Sequence, residues 1–132
     1  MKTPGRFILT LSALILFIAG GAALFAADEV ARLLDPAPSR SMPLMVQLAG
    51  SGSLGFAALN WMSRGNRIGG IYARPTGIGN LLLFLTAALS LGKPAISGDL
   101  PLAVTVVAAT FALLAVSFAW LVFVHDPLAE TA

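Results

Sequence analysis

Four long apolar runs, almost free of charged side chains, set the strongest limit on what this chain can fold into. They cover residues 7–27, 43–62, 74–91 and 101–124, and Arg74 at the start of the third run is their one charged side chain. A helix of about 20 residues is long enough to cross a hydrocarbon core of about 30 Å. The sequence therefore predicts an all-α fold, an integral membrane four-helix bundle in which helices adjacent in sequence are antiparallel.

The composition agrees with a chain in lipid. Hydrophobic residues make up 58% of the sequence and charged residues 11%, whereas about a quarter of the residues in a soluble protein are charged. No linker or repeat divides the chain, so residues 1–132 are predicted to form a single four-span domain. The net charge is +2, and its basic residues flank the apolar runs. Topology accounts for this charge, and we expect no nucleic-acid partner.

The first run allows two interpretations. A basic start with Lys2 and Arg6, an apolar middle and the small residues Gly21 and Ala23 are also typical of a cleaved signal peptide. The apolar run continues through Leu24 beyond the usual length of a signal-peptide core, which favours a first membrane span. The connection after it contains Pro36 and Pro38, and one more helical turn can precede these prolines, to Leu34.

Basic residues in the short flanks predict the orientation. With a cytoplasmic amino terminus, the inner side holds five basic residues and the outer side three. The five are Lys2, Arg6, Arg64, Arg67 and Arg74, and the three are Arg32, Arg40 and Lys93. The positive-inside bias therefore predicts that both termini lie in the cytoplasm.

Small and polar residues are concentrated in the second run, where they predict helix packing or the lining of a cleft. The candidates are Gln47, Ser51, Ser53 and Asn60. Close packing of a small-residue face is one interpretation, and a binding cleft using Gln47, Ser51 and Asn60 is the other. Asn80 in the third run lies near the same membrane face as Asn60, so we expect the two amides to form a hydrogen bond.

The fourth run contains alanines at a helical spacing. Ala108, Ala112, Ala115 and Ala119 predict one smooth face that packs against another helix. The bulky side chains of this run are then expected to point elsewhere, some of them toward lipid. These are Phe111, Leu114, Phe118, Leu121 and Val122.

The residue inventory argues against most catalytic chemistry. The absence of cysteine excludes disulfides, thiol nucleophiles and thiolate metal sites. With Arg74 taken as interfacial, no acid, base or histidine lies inside the runs, where membrane enzymes and proton-coupled carriers usually place them. His125 alone cannot build a metal site. The glycines of the central loop lack the spacing of a phosphate-binding loop. We therefore expect no enzymatic activity, cofactor or metal.

The central loop carries Arg64, Arg67 and Arg74 without an acidic residue. These arginines are expected to serve topology and to contact anionic lipid headgroups, or to bind a partner protein through bidentate contacts. Leu59-Asn60-Trp61-Met62-Ser63-Arg64-Gly65, followed by Gly69-Gly70-Ile71-Tyr72-Ala73-Arg74, resembles the central loop of small uncharacterised four-helix bacterial inner-membrane proteins. That resemblance implies a four-helix architecture in the inner (cytoplasmic) membrane of a bacterium, and it implies no activity.

Two functions remain open at this point. Length and span number are also similar to the small multidrug resistance transporters, but those depend on a glutamate in the first helix, which residues 7–27 lack. The leading expectation is a non-enzymatic accessory, assembly or lipid-interacting subunit, with membrane lipids and a possible second copy or membrane protein as partners. The alternative is an oligomeric carrier or channel for a neutral or amphiphilic small molecule. It would need at least two copies, because four short helices enclose little space.

Overall fold

A computed structural model describes residues 4–66 and 73–124, and over these ranges the chain is all-helical without strands. The helices are α1 (Pro4–Phe25), α2 (Ala27–Leu34), α3 (Met42–Ser63), α4 (Arg74–Ile96) and α5 (Leu102–Phe123). All except α2 are long and apolar enough to cross a membrane. The predicted all-α architecture with four candidate spans is confirmed.

Helices α1 and α3 form a closely packed antiparallel pair. Their backbones approach each other at Gly20 and Gly50, where a Cβ atom added to either glycine would lie 2.9 Å from the carbonyl oxygen of the other. Ser12, eight residues before Gly20, contacts Asn60, ten residues after Gly50. Small residues at a crossing let two membrane helices approach this closely.

The short helix α2 occupies the connection between α1 and α3. The chain bends at Ala26, and α2 then buries Ala27 and Ala31 against Val46 of α3. Asp28 in its first turn and Arg32 in its last turn complement the helix dipole. The single further turn predicted up to Leu34 is thus a separate helix of eight residues, and the first span ends at Phe25 rather than residue 27.

Helix α4 is longer than predicted. Instead of ending at residue 91 it continues through Lys93 and Pro94 to Ile96. Gly98 then adopts a φ of +77°, and the amide nitrogens of Gly98 and Asp99 donate to the carbonyl oxygens of Ala95 and Pro94. This is the Schellman arrangement, which satisfies the last carbonyl groups of a helix. Pro94 lacks the N–H that would bond to the Ser90 carbonyl oxygen, and the helix continues for two residues beyond it.

The main core joins the α1–α3 pair to the α4–α5 pair. Phe84 of α4 is fully buried, packs edge-on against Phe111 and stacks with Phe118, with ring centroids 5.4 and 5.8 Å apart respectively. Leu9 and Leu16 of α1 and Ala57 of α3 belong to the same cluster.

The bulky face of α5 was predicted wrongly. Leu114, Phe118, Leu121 and Val122 are buried and Phe111 packs against the core, whereas Ala112 on the adjacent alanine face is exposed. Large side chains fill the space between the helix pairs, while Ala108 and Ala115 are buried beside them. Both large and small residues of α5 therefore build the interface.

Candidate functional site

A buried polar cluster lies where α1, α3 and α4 meet. It consists of Ser12, Asn60 and Asn80, each fully buried. Each asparagine donates from its Nδ2 to the Oδ1 of the other, over 2.7 Å in both directions. The hydrogen bond predicted between Asn60 and Asn80 is thus present, and it is reciprocal.

Each amide group of the cluster donates a second hydrogen bond. Asn60 Nδ2 also donates to Ser12 Oγ (3.0 Å), and Asn80 Nδ2 to the carbonyl oxygen of Thr76 (2.9 Å). Ser12 Oγ in turn donates to the carbonyl oxygen of Leu9. Both amide groups therefore donate twice, and no buried side-chain polar atom in the described part of the chain is left without a hydrogen bond. Such a closed network holds helices together and offers no free donor to a ligand.

The other candidate lining residues do not join this cluster. Gln47 and Ser51 are exposed, whereas Ser53 is partly exposed. Each serine hydroxyl donates to the carbonyl oxygen four residues earlier, that of Gln47 or Ala49. The predicted cleft of Gln47, Ser51 and Asn60 does not form within one chain, because nine residues separate Ser51 from Asn60 and this places them on opposite sides of a helix.

Three arginines mark one end of the molecule, which we call the arginine end. Arg6 lies in the first turn of α1, Arg64 directly follows α3, and Arg74 begins α4. The antiparallel pairing brings these helix ends together. Among the described residues, every carboxylate side chain lies at the other end, in α2 and the connections at 35 and 99. Arg67, the third arginine predicted for this site, lies outside the described residues, as does His125.

Arg64 is held against Trp61. Its guanidinium Cζ lies 3.8 Å from the centroid of the indole ring, and Nη1 donates to the carbonyl oxygen of Trp61. A cation over the face of an indole ring is a favourable pair. Arg74 is exposed at the first turn of its helix. The structure thus fixes the position of one of the two described loop arginines.

An apolar groove of about 550 Å³ lies between α1 and α3 beside Arg64. Its lining residues are Ala13, Leu14, Phe17, Leu54, Ala57, Ala58 and Trp61. All of these side chains are apolar except for the indole nitrogen, so the groove suits a hydrocarbon surface. This volume lies within the range of ordinary ligand sites, about 300–1,000 Å³.

Sequence reasoning missed two features of this region. Ser12 is one hydroxyl in an otherwise apolar run, and only the register of α1 against α3 brings it to Asn60. The groove is composed of residues that are ordinary in any membrane helix, so no local pattern marks it. The described residues contain no group of three or more histidine, aspartate or glutamate side chains that could hold a metal ion.

Fold and site together define a membrane-embedded helical protein with four candidate transmembrane helices and an internal hydrogen-bonded cluster. The chain matches no protein-family model, no curated protein and no solved structure. Its resemblance to small four-helix inner-membrane proteins therefore stays a prediction.

Proposed function

We propose that this chain is a non-enzymatic accessory subunit of the bacterial inner membrane, which works by binding membrane lipids and other membrane proteins. Both termini and the arginine end face the cytoplasm. The first helix is retained as a membrane span.

The closed cluster of Ser12, Asn60 and Asn80 carries this proposal. Polar groups inside a membrane protein commonly mark a pathway or a reaction centre. Here the buried amides use both of their donors on one another and on neighbouring oxygens. The described spans also contain no acid or histidine that could transfer a proton. A role in holding a scaffold together accounts for both observations.

The exposed surface supports binding to other membrane components. Large apolar side chains are exposed on all four long helices, among them Phe17, Leu48, Leu89 and Leu113. In a bilayer these side chains face lipid or a neighbouring helix. The arginine end supports the proposed orientation of the spans, because short loops that carry basic residues remain on the cytoplasmic side.

A carrier is the second candidate, favoured by Gln47 and Ser51 on an exposed face of α3. In an oligomer this face would meet another copy, and a pathway would have to use it, since Asn60 and Asn80 are already bonded to each other. Replacing both Gln47 and Ser51 with alanine would then abolish liposome flux of the solute. An unchanged flux would reject the carrier.

Copurification tests the accessory role. We expect the full chain, extracted from native membranes into lipid nanodiscs, to bring with it a lipid or one membrane protein in a fixed ratio, as measured by native mass spectrometry. A four-span membrane protein of similar size, expressed to the same level, is the control for trapped bystanders. Recovery of a bare monomer, or of the same components as the control, would reject the proposed function.

A further inference from the structure

The groove between α1 and α3 has a small-residue floor and bulky edges. Ala13 and Ala57 are 3% and 4% exposed and form its floor, while Phe17 is 63% exposed at its edge. Trp61 stands at the end nearest Arg64. The groove is therefore apolar and open along its side.

The groove ends near the middle of the membrane. Its residues on α3 run from Leu54 to Trp61, which is about 10 Å of helix, at 1.5 Å per residue. At Leu54 it reaches the close crossing of α1 and α3, where a Cβ atom on Gly20 would lie 3.0 Å from Leu54 Cγ. Half of a hydrocarbon core is about 15 Å. The groove thus covers most of one leaflet and does not cross the other.

A positive charge lies at the opposite end of the groove. Trp61 lines the groove, and the Arg64 guanidinium is stacked on its ring with the Cζ atom 3.8 Å from the centroid. The guanidinium has five N–H groups, and the hydrogen bond from Nη1 to the Trp61 carbonyl uses one of them. The others can bind phosphate oxygens. An apolar groove one leaflet deep therefore continues into a cation at headgroup level.

We propose that this groove binds an anionic phospholipid, with one acyl chain against Ala13, Ala57 and Trp61 and its phosphate on Arg64. The proposal rests on the proposed function, and with that orientation the lipid belongs to the cytoplasmic leaflet. A transmembrane helix of a partner or second copy fits less well. Such a helix is about 30 Å long and would extend beyond the groove past the α1–α3 crossing, whereas an acyl chain needs only the length of one leaflet.

Tryptophan quenching measures occupancy of the groove directly, because the chain contains two tryptophans. Trp61 alone reports in the Trp120→Phe variant, and Trp120 alone in the Trp61→Phe variant. The full chain is reconstituted into phosphatidylcholine vesicles containing a small fraction of acyl-brominated phosphatidylglycerol or acyl-brominated phosphatidylcholine. We expect Trp61 to be quenched by the anionic lipid at about fivefold lower mole fraction, the ratio for one cation at an anionic surface.

Two arginine variants separate a site from general attraction. Arg64→Gln should bring the ratio at Trp61 close to one. Arg74→Gln removes a charge from the same end of the molecule, at the start of α4 and outside the lining of the groove, and should lower the ratio less than Arg64→Gln does. Circular dichroism and a monodisperse elution profile confirm that each variant is folded.

Three results would overturn the proposal. Equal quenching of Trp61 by both lipids would show no headgroup preference. Equal losses in Arg64→Gln and Arg74→Gln would show only surface attraction. Protection of Trp61 from both lipids would show that a protein helix covers the groove. Copurification of a partner protein in a fixed ratio would still uphold the accessory role in any of these cases, so the two proposals fail separately.

Discussion

Replacement of Gly50 by alanine is expected to lower the free energy of unfolding by about 2 kcal/mol, as for overpacking of a tight contact. The added Cβ would lie 2.9 Å from the Gly20 carbonyl oxygen and 2.9 Å from Ala23 Cβ. Neither atom belongs to the end of a flexible side chain, so α1 and α3 must move apart along their crossing. Titration with sodium dodecyl sulfate in mixed micelles, followed by tryptophan fluorescence, measures the change.

Gly52 provides the matched control two residues away. A Cβ atom on Gly52 meets nothing within 4 Å, and the residue is exposed on the same helix. Gly52→Ala should leave the free energy of unfolding unchanged or raise it by up to about 1 kcal/mol, because alanine loses less backbone entropy than glycine. Gly21 serves in the same way as a control for Gly20. Equal effects of Gly50→Ala and Gly52→Ala would mean that the helices do not cross here.

Replacement of either buried asparagine by alanine should lower the free energy of unfolding nearly as much as Gly50→Ala does. Asn60→Ala removes three side-chain hydrogen bonds, two to Asn80 and one to Ser12. Interhelical hydrogen bonds in membrane proteins average about 0.6 kcal/mol each, so the expected loss is about 2 kcal/mol. Asn80→Ala loses the same two shared bonds together with its bond to Thr76.

A double-mutant cycle isolates the free energy of the two hydrogen bonds that Asn60 and Asn80 share. The double variant should lose about 1 kcal/mol less than the sum of the two single variants, because the two reciprocal bonds are counted in both. The same detergent titration measures all four proteins. Strict additivity would mean that the amides are not bonded to each other in the membrane.

The number and type of the long helices could be predicted from the sequence because an apolar run without charge has few other stable states in lipid. The Asn60–Asn80 pair was also predictable, since two amides at the same depth on adjacent spans have few other partners. Helix ends were less certain. Pro94 indicated a connection after residue 91, but the cap at Gly98 keeps α4 helical to Ile96.

Which side of each helix is buried in the bundle could not be predicted in the same way. In water, polar residues mark the outer side of a helix, whereas lipid accepts phenylalanine and leucine as readily as a protein core does. For this reason the sequence predicts that α5 packs through its smooth alanine face, and it does not reveal the burial of Phe118 and Leu121. The groove beside Trp61 depends on the register between two helices, which no single run contains.

Cysteine labelling tests the central claim, which is that four helices cross the membrane and the arginine end faces the cytoplasm. The chain has no cysteine of its own, so a single cysteine at each of the exposed positions Ser39, Asn66 and Ser97 can be labelled separately. Each labelled cysteine reports the side of the membrane on which that position lies. With a membrane-impermeant maleimide on intact spheroplasts, we expect Ser39→Cys and Ser97→Cys to react and Asn66→Cys to react only after the membrane is opened. Reaction of Asn66→Cys in intact spheroplasts, or of all three positions from the same side, would contradict the account.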